Sequence, residues 1–89
     1  MFMRISKDFI MREIAGDRVI VPTGSAVMNF NGLIMVNEVG AFLWEKLQEE
    51  TNLELLTKNV LEEYEVDENT ARNDIEEFIS KLQEGGILQ

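Results

Sequence analysis

The chain has 89 residues and a formal charge of -9, with no cysteine and no histidine. At this length folding buries only roughly 60 to 65% of the unfolded surface, so one domain with a modest core is expected and there is no room for a cofactor domain. The missing residue types exclude disulfides and thiol catalysis, remove the most common general base near neutral pH and leave a transition metal only carboxylates and amides, so a non-enzyme without metal or cofactor is expected.

The acidity repels nucleic-acid phosphate and anionic lipid and favours partners carrying Lys and Arg, although solubility alone would also explain it. No apolar run approaches the ~20 residues that cross a bilayer, and no basic segment precedes a long apolar run at the N-terminus. A soluble cytoplasmic protein is the expectation.

In chain order, Phe9 to Ile14 and Arg18 to Val21 read as strands around Ala15-Gly16-Asp17, where glycine can take the positive φ of a hairpin. Pro22 lacks a ladder donor and Gly24 frees the backbone, so the second strand should stop at Val21-Pro22-Thr23-Gly24. A second extended pair, Val27 to Phe30 and Leu33 to Val36, flanks Asn31-Gly32, a dipeptide suited to a tight turn. Leu33 to Val36 is apolar on both faces, although a small antiparallel sheet usually meets water on one. Something should therefore cover its second face or its edge: a peptide on one reading, neighbouring strands and helices on the other.

The hydrophobic period changes at Asn37, which can cap a helix running to about Gln48 with Val39, Phe42, Leu43 and Leu47 on one face and Trp44 beside it as a structural anchor. Gly40 falls inside this helix at a cost of ~1 kcal/mol relative to alanine, so close approach of another backbone is the expected compensation. Thr51 with Glu54 reads as a capping box for a second helix striped by Leu53, Leu56, Val60, Leu61 and Tyr64. Asp67 caps a third, lined by Ala71, Ile75, Phe78, Ile79 and Leu82 and stopped by Gly85 or Gly86, after which Ile87 and Leu88 tuck back. The fold class that follows is α+β, winged helix-turn-helix-like, with N-terminal antiparallel strands followed by a three-helix bundle in a single domain, residues 1–89.

A DNA-reading version would place basic or amide side chains outward on the third helix. Here Glu68, Asp74, Glu76, Glu77 and Glu84 outnumber Arg72, Asn73 and Lys81, so a nucleic-acid partner is disfavoured and a transcriptional winged helix is only the alternative. Asp67-Glu68-Asn69 begins like a calcium loop, but Arg72 stands where the sharp-turn glycine is needed. Thr23-Gly24-Ser25 is too short, and lacks the lysine, to cradle phosphate.

The run Ser6-Lys7-Asp8-Phe9-Ile10-Met11-Arg12-Glu13-Ile14-Ala15-Gly16, then Val21-Pro22-Thr23-Gly24, then Phe30-Asn31-Gly32-Leu33-Ile34-Met35-Val36-Asn37-Glu38-Val39-Gly40-Ala41-Phe42-Leu43-Trp44 resembles the pyrroloquinoline quinone biosynthesis protein D (PqqD) family. Tyr64-Glu65-Val66-Asp67 and Asp74-Ile75-Glu76-Glu77-Phe78 are similar to it as well, and the Asn-Glu-x-Gly-x-x-x-Trp segment is the most specific part. The resemblance implies a non-catalytic precursor-peptide recognition element. Such a module binds the leader of a ribosomally made peptide and delivers it to a modifying enzyme, frequently a radical S-adenosylmethionine enzyme, with pyrroloquinoline quinone assembly only one use. A structural adaptor without peptide binding is a further alternative.

On the residues themselves, an extended leader could add as a strand beside Leu33, Ile34, Met35 and Val36, taking main-chain hydrogen bonds there. Alternate leader side chains would enter pockets lined by Leu33, Met35, Ile75, Phe78 and Ile79, with basic residues meeting Asp74 or Glu77 at the rim. Core packing is the competing reading for Ile75, Phe78 and Ile79.

Overall fold

Ala15 and Gly16 both adopt positive φ, 52° and 87°, and between the paired Ile14 and Asp17 they make the two-residue turn whose twist suits a hairpin. This turn joins β1 (Phe9–Ile14) to β2 (Asp17–Pro22) in a computed structural model that describes residues 2–24 and 34–88. Pro22 is the last residue of β2, where a missing donor costs least, and the Thr23 N–H donates to Asp8 O at 2.7 Å just beyond it.

β3 (Ile34–Val36) lies antiparallel to β2, so the sheet order is β1-β2-β3. The register matches Met11, Ile20 and Ile34 across the three strands, and all three pack toward the core. Met35 alternates to the other face and is 61% exposed. Pairing of β3 with β2 was not read from the sequence. The expected Asn31-Gly32 turn, the Val27 to Phe30 arm and Leu33 lie outside the described residues.

Asn37 is extended and its side chain accepts from the Gly40 N–H at 2.8 Å, starting α1 (Glu38–Lys46) immediately after β3. Phe42 of α1 sits edge-on to Tyr64, rings 5.4 Å apart, with the Lys46 ammonium over its face. Desolvation, reinforced chiefly by Glu38, pushes the Tyr64 hydroxyl pKa up.

The start of α2 (Leu53–Glu63) corrects the expected Thr51–Glu54 capping box. Asn52 is the cap, accepting from the Leu55 N–H at 2.9 Å, which puts Glu54 one position too early to reciprocate. Thr51 is buried and its backbone exchanges both hydrogen bonds with Met3 instead. Leu61 is also off the buried stripe: Leu56, Thr57 and Val60 are buried, while Leu61 lies about 100° around from Val60. Thr57 can take its core position because its hydroxyl donates to Leu53 O at 2.8 Å.

Asp67 caps α3 (Glu68–Glu84), accepting from the Thr70 N–H at 2.7 Å, and that bond holds its carboxyl pKa below the usual range. Ala71, Ile75, Phe78, Ile79 and Leu82 are all buried, as their spacing predicts. The helix ends on Gly86 at φ 70°, with Ile87 N–H donating to Leu82 O and Gly86 N–H to Gln83 O. This is the paired-bond stop that needs a left-handed residue, and it sends fully buried Ile87 back into the core. Gly85 itself is right-handed.

The residues before Phe9, to which the sequence reading assigned no structure, tie these ends together. Ile5 N–H donates to Leu47 O, Ser6 N–H donates to Ile87 O, and Ile5 bridges Leu88.

Candidate groove between the edge strand and the last helix

Among the described residues β3 pairs with β2 alone, so one margin of its backbone has no strand partner. Met35 and Val36 from β3 and Asn37 at its end form one wall of a groove of about 350 Å³. Val39, Gly40 and Leu43 of α1 and Asp74, Glu77, Phe78 and Lys81 of α3 complete it. The four α3 residues share one side of the helix because successive residues turn by about 100°.

Gly40 allows these three elements to meet. A Cβ placed there would stand 3.2 Å from the Phe78 ring edge, 3.3 Å from Asn37 Oδ1 and 3.3 Å from Val36 Cβ. The close neighbours are therefore side chains from β3, the helix cap and α3, rather than the second backbone expected from the sequence. Phe78 closes the core with its buried ring and also lines the groove.

Of the residues the sequence nominated, the groove gathers Met35, Val36, Asp74, Glu77 and Phe78. Leu33 lies outside the described residues. Ile34 is turned by the pleat toward the core, and Ile75 is fully enclosed there. Ile79 faces the opposite flank of α3, where it lines a different cavity. Asn37, Val39, Gly40, Leu43 and Lys81 also line the groove without having been nominated. Lys81 was legible: it stands four residues after Glu77 and three after Phe78, the spacing that keeps residues on one helix side.

Chemically the groove offers main-chain donors and acceptors, an apolar floor and charged side chains of both signs. Among the described residues Lys81 makes no ion pair with Glu77 or Asp74, although Glu77 is one turn away; the one pair seen is Arg72 with Glu68 at 4.0 Å. No group of three or more described His, Cys, Asp or Glu side chains could hold a metal ion. No described helix is long and apolar enough to cross a membrane.

Residues 19–88, from β2 to the end of α3 and beyond, match the family described as Coenzyme PQQ synthesis protein D (PqqD). The chain belongs to the PqqD family. Two solved structures share its fold. One, TbiB1 in complex with the TbiA(beta) leader peptide, superposes with a TM-score of 0.75 at 22% identity, covering 97% of this chain and 94% of that one. The other, lasso peptide synthetase B1 complexed with the leader peptide, gives 0.73 at 18% identity over 98% and 96%. A comparison with curated proteins finds no match. The likeness to both structures covers nearly the whole PqqD-family chain, strands and helices together, as an α+β fold.

Proposed function

We propose that this chain is a non-catalytic, cytoplasmic module that binds the leader of a ribosomally synthesised precursor peptide and presents it to a peptide-modifying enzyme. The family resemblance makes a radical S-adenosylmethionine enzyme the first candidate for that enzyme. The observation that carries the reading is the juxtaposition of β3, whose outer margin has no strand partner among the described residues, with a groove of apolar floor and charged rim. Support comes from two solved structures of the same fold, each described as a complex with a leader peptide.

In this reading the leader extends the sheet at β3. Main-chain bonding to an edge is nearly indifferent to sequence, so it supplies affinity for any extended segment of suitable length. Choice comes from the side chains, which alternate along the added strand so that every second one faces the groove. Phe78 and Val39 select an apolar residue by shape and area, and Met35 adapts to it.

Charge then sets register. Glu77 and Lys81 are separated by about 6 Å along the helix axis, close to the rise of two strand residues, so a leader with a cation and an anion two positions apart fits both. Such rim pairs steer encounter and alignment more than they deepen affinity.

The test is titration of isotopically labelled chain with the leader encoded beside it. Amide shifts at Ile34, Met35 and Val36 and along Asp74 to Lys81 are expected. Shifts confined to the β1–β2 hairpin would overturn the groove assignment, and salt-sensitive binding to random DNA with no response to leader would favour the winged-helix alternative.

A further inference from the structure

Among the described residues a second cavity along α3, about 640 Å³, lies on the flank opposite the β3 groove. Arg72, Glu76, Ile79 and Gln83 line it, whereas Asp74, Glu77 and Lys81 line the groove; on the helical wheel the two sets are roughly 180° apart. Its remaining walls are Met3 and the start of α2, Asn52 to Glu54. The size falls within the ~300–1,000 Å³ usual for concave binding sites.

Backbone hydrogen bonds fix one wall of the cavity. Met3 N–H donates to Thr51 O at 2.6 Å and Thr51 N–H to Met3 O at 2.9 Å, which locks the N-terminal segment beside the residue preceding the α2 cap. Asn52, by capping α2, turns Leu53 and Glu54 onto the cavity wall. Met3, Leu53 and Ile79 supply an apolar floor, since Met3 and Leu53 are only half-buried and pack on the core.

The charges around the floor specify what would sit there. Glu54 and Glu76 are exposed and form no ion pair among the described residues. The cation of the cavity wall, Arg72, is already approached by Glu68. An apolar side chain followed by a Lys or Arg therefore meets the two carboxylates of Glu54 and Glu76, while one followed by an acid is repelled by both and is met by Arg72 alone, which Glu68 shares at 4.0 Å. The whole-chain charge of -9 acts in the same direction.

We propose that this cavity is a second recognition surface, taking a bulky apolar residue and an adjacent cation from a segment of a partner protein. Because it lies across α3 from the β3 groove, both can be filled at once. The surface stands on its own geometry and does not depend on what occupies the groove.

The experiment is amide-shift titration of the labelled full chain with two tetrapeptides, acetyl-Ala-Phe-Lys-Ala-amide and acetyl-Ala-Phe-Glu-Ala-amide. The Phe-Lys probe is expected to move Leu53, Glu54, Arg72 and Ile79 while sparing Val36 and Gly40, and to bind about five-fold more tightly than the Phe-Glu probe. In the double variant Glu54→Gln, Glu76→Gln, both exposed positions, that preference should fall to about one, as expected for rim charges that each contribute a few-fold. Equal binding of the two probes, shifts only in the β3 groove, or no shifts at all would each overturn the proposal. Leader titration of the same double variant separates the two readings: leader shifts along β3 should persist unchanged when the probe preference is lost.

Discussion

The Phe78 ring edge stands 3.2 Å from where a Cβ would be on Gly40, so the first helix and the last approach as closely as they do because position 40 carries no side chain. Helix propensity alone would favour alanine there by ~1 kcal/mol. The added methyl, however, also meets Val36 Cβ, which is fixed to the strand backbone, and Asn37 Oδ1, which the capping hydrogen bond from the Gly40 N–H holds in place. Overpacking costs ~1–3 kcal/mol. Gly40→Ala should therefore lose about 1 kcal/mol in chemical denaturation and displace Phe78 toward the groove, weakening leader binding. A stabilised variant with unchanged binding would show that the contact is slack.

Asn37 links the strand to the helix through one hydrogen bond to the Gly40 N–H. Asn37→Ala should cost about 1 kcal/mol of stability, whereas Asn37→Asp, which keeps an acceptor and places a negative charge at the helix start, should cost little or nothing. Equal losses in both variants would point to a role other than capping.

Strand addition predicts a pattern that side-chain docking does not. N-methylation of alternate residues in the leader should weaken binding only at every second position, by about five-fold for each main-chain bond removed at ~1 kcal/mol. Uniform losses, or none, measured by calorimetry across the methylated series, would exclude an added strand.

Ala15 holds a positive φ of 52° in the hairpin turn, a conformation that asparagine tolerates and alanine does not favour. Ala15→Asn produces the Asn-Gly pair preferred for this turn and should raise stability by about 0.5 to 1 kcal/mol. A loss of stability in thermal or denaturant melts would mean that the turn is held differently.

The bond from Thr70 N–H that lowers the Asp67 pKa also makes folding sensitive to acid. Below the ordinary aspartate range the unfolded chain takes up this proton while the folded one resists, so the stabilisation is complete above that range and disappears as pH falls through the lowered value. Asp67→Asn, which retains an acceptor, should flatten this part of the acid limb in stability measured against pH. An unchanged limb would place the sensitivity elsewhere.

The helices were the most legible part of the fold because their signals are local. Ala71, Ile75, Phe78, Ile79 and Leu82 recur at helical spacing and are all buried, and the caps at Asn37 and Asp67 are where their side-chain chemistry puts them. Thr51 misled because it too carries a capping hydroxyl, and the competition with Asn52 was decided by a backbone bridge to Met3, 48 positions earlier in the chain. The groove was half legible. Helical spacing brings Asp74, Glu77, Phe78 and Lys81 together on α3, but their meeting with Met35 and Val36 depends on which strand lies at the edge.

The sequence by itself determined the class of chemistry and the order of elements: a chain without cysteine or histidine, strands first, three capped helices after, and acids along the outward side of the last helix. Those properties depend on residue type and on neighbours within a few positions. Tertiary structure alone decided that β2 takes the central place, that β3 keeps an unpaired margin among the described residues, and that opposite flanks of α3 open into two separate cavities. Apolar periodicity says which side of an element is buried, but it is indifferent to what buries it. Only pairing and packing between distant segments distinguish Ile75, sealed in the core, from Phe78, which closes the core and floors the groove at once.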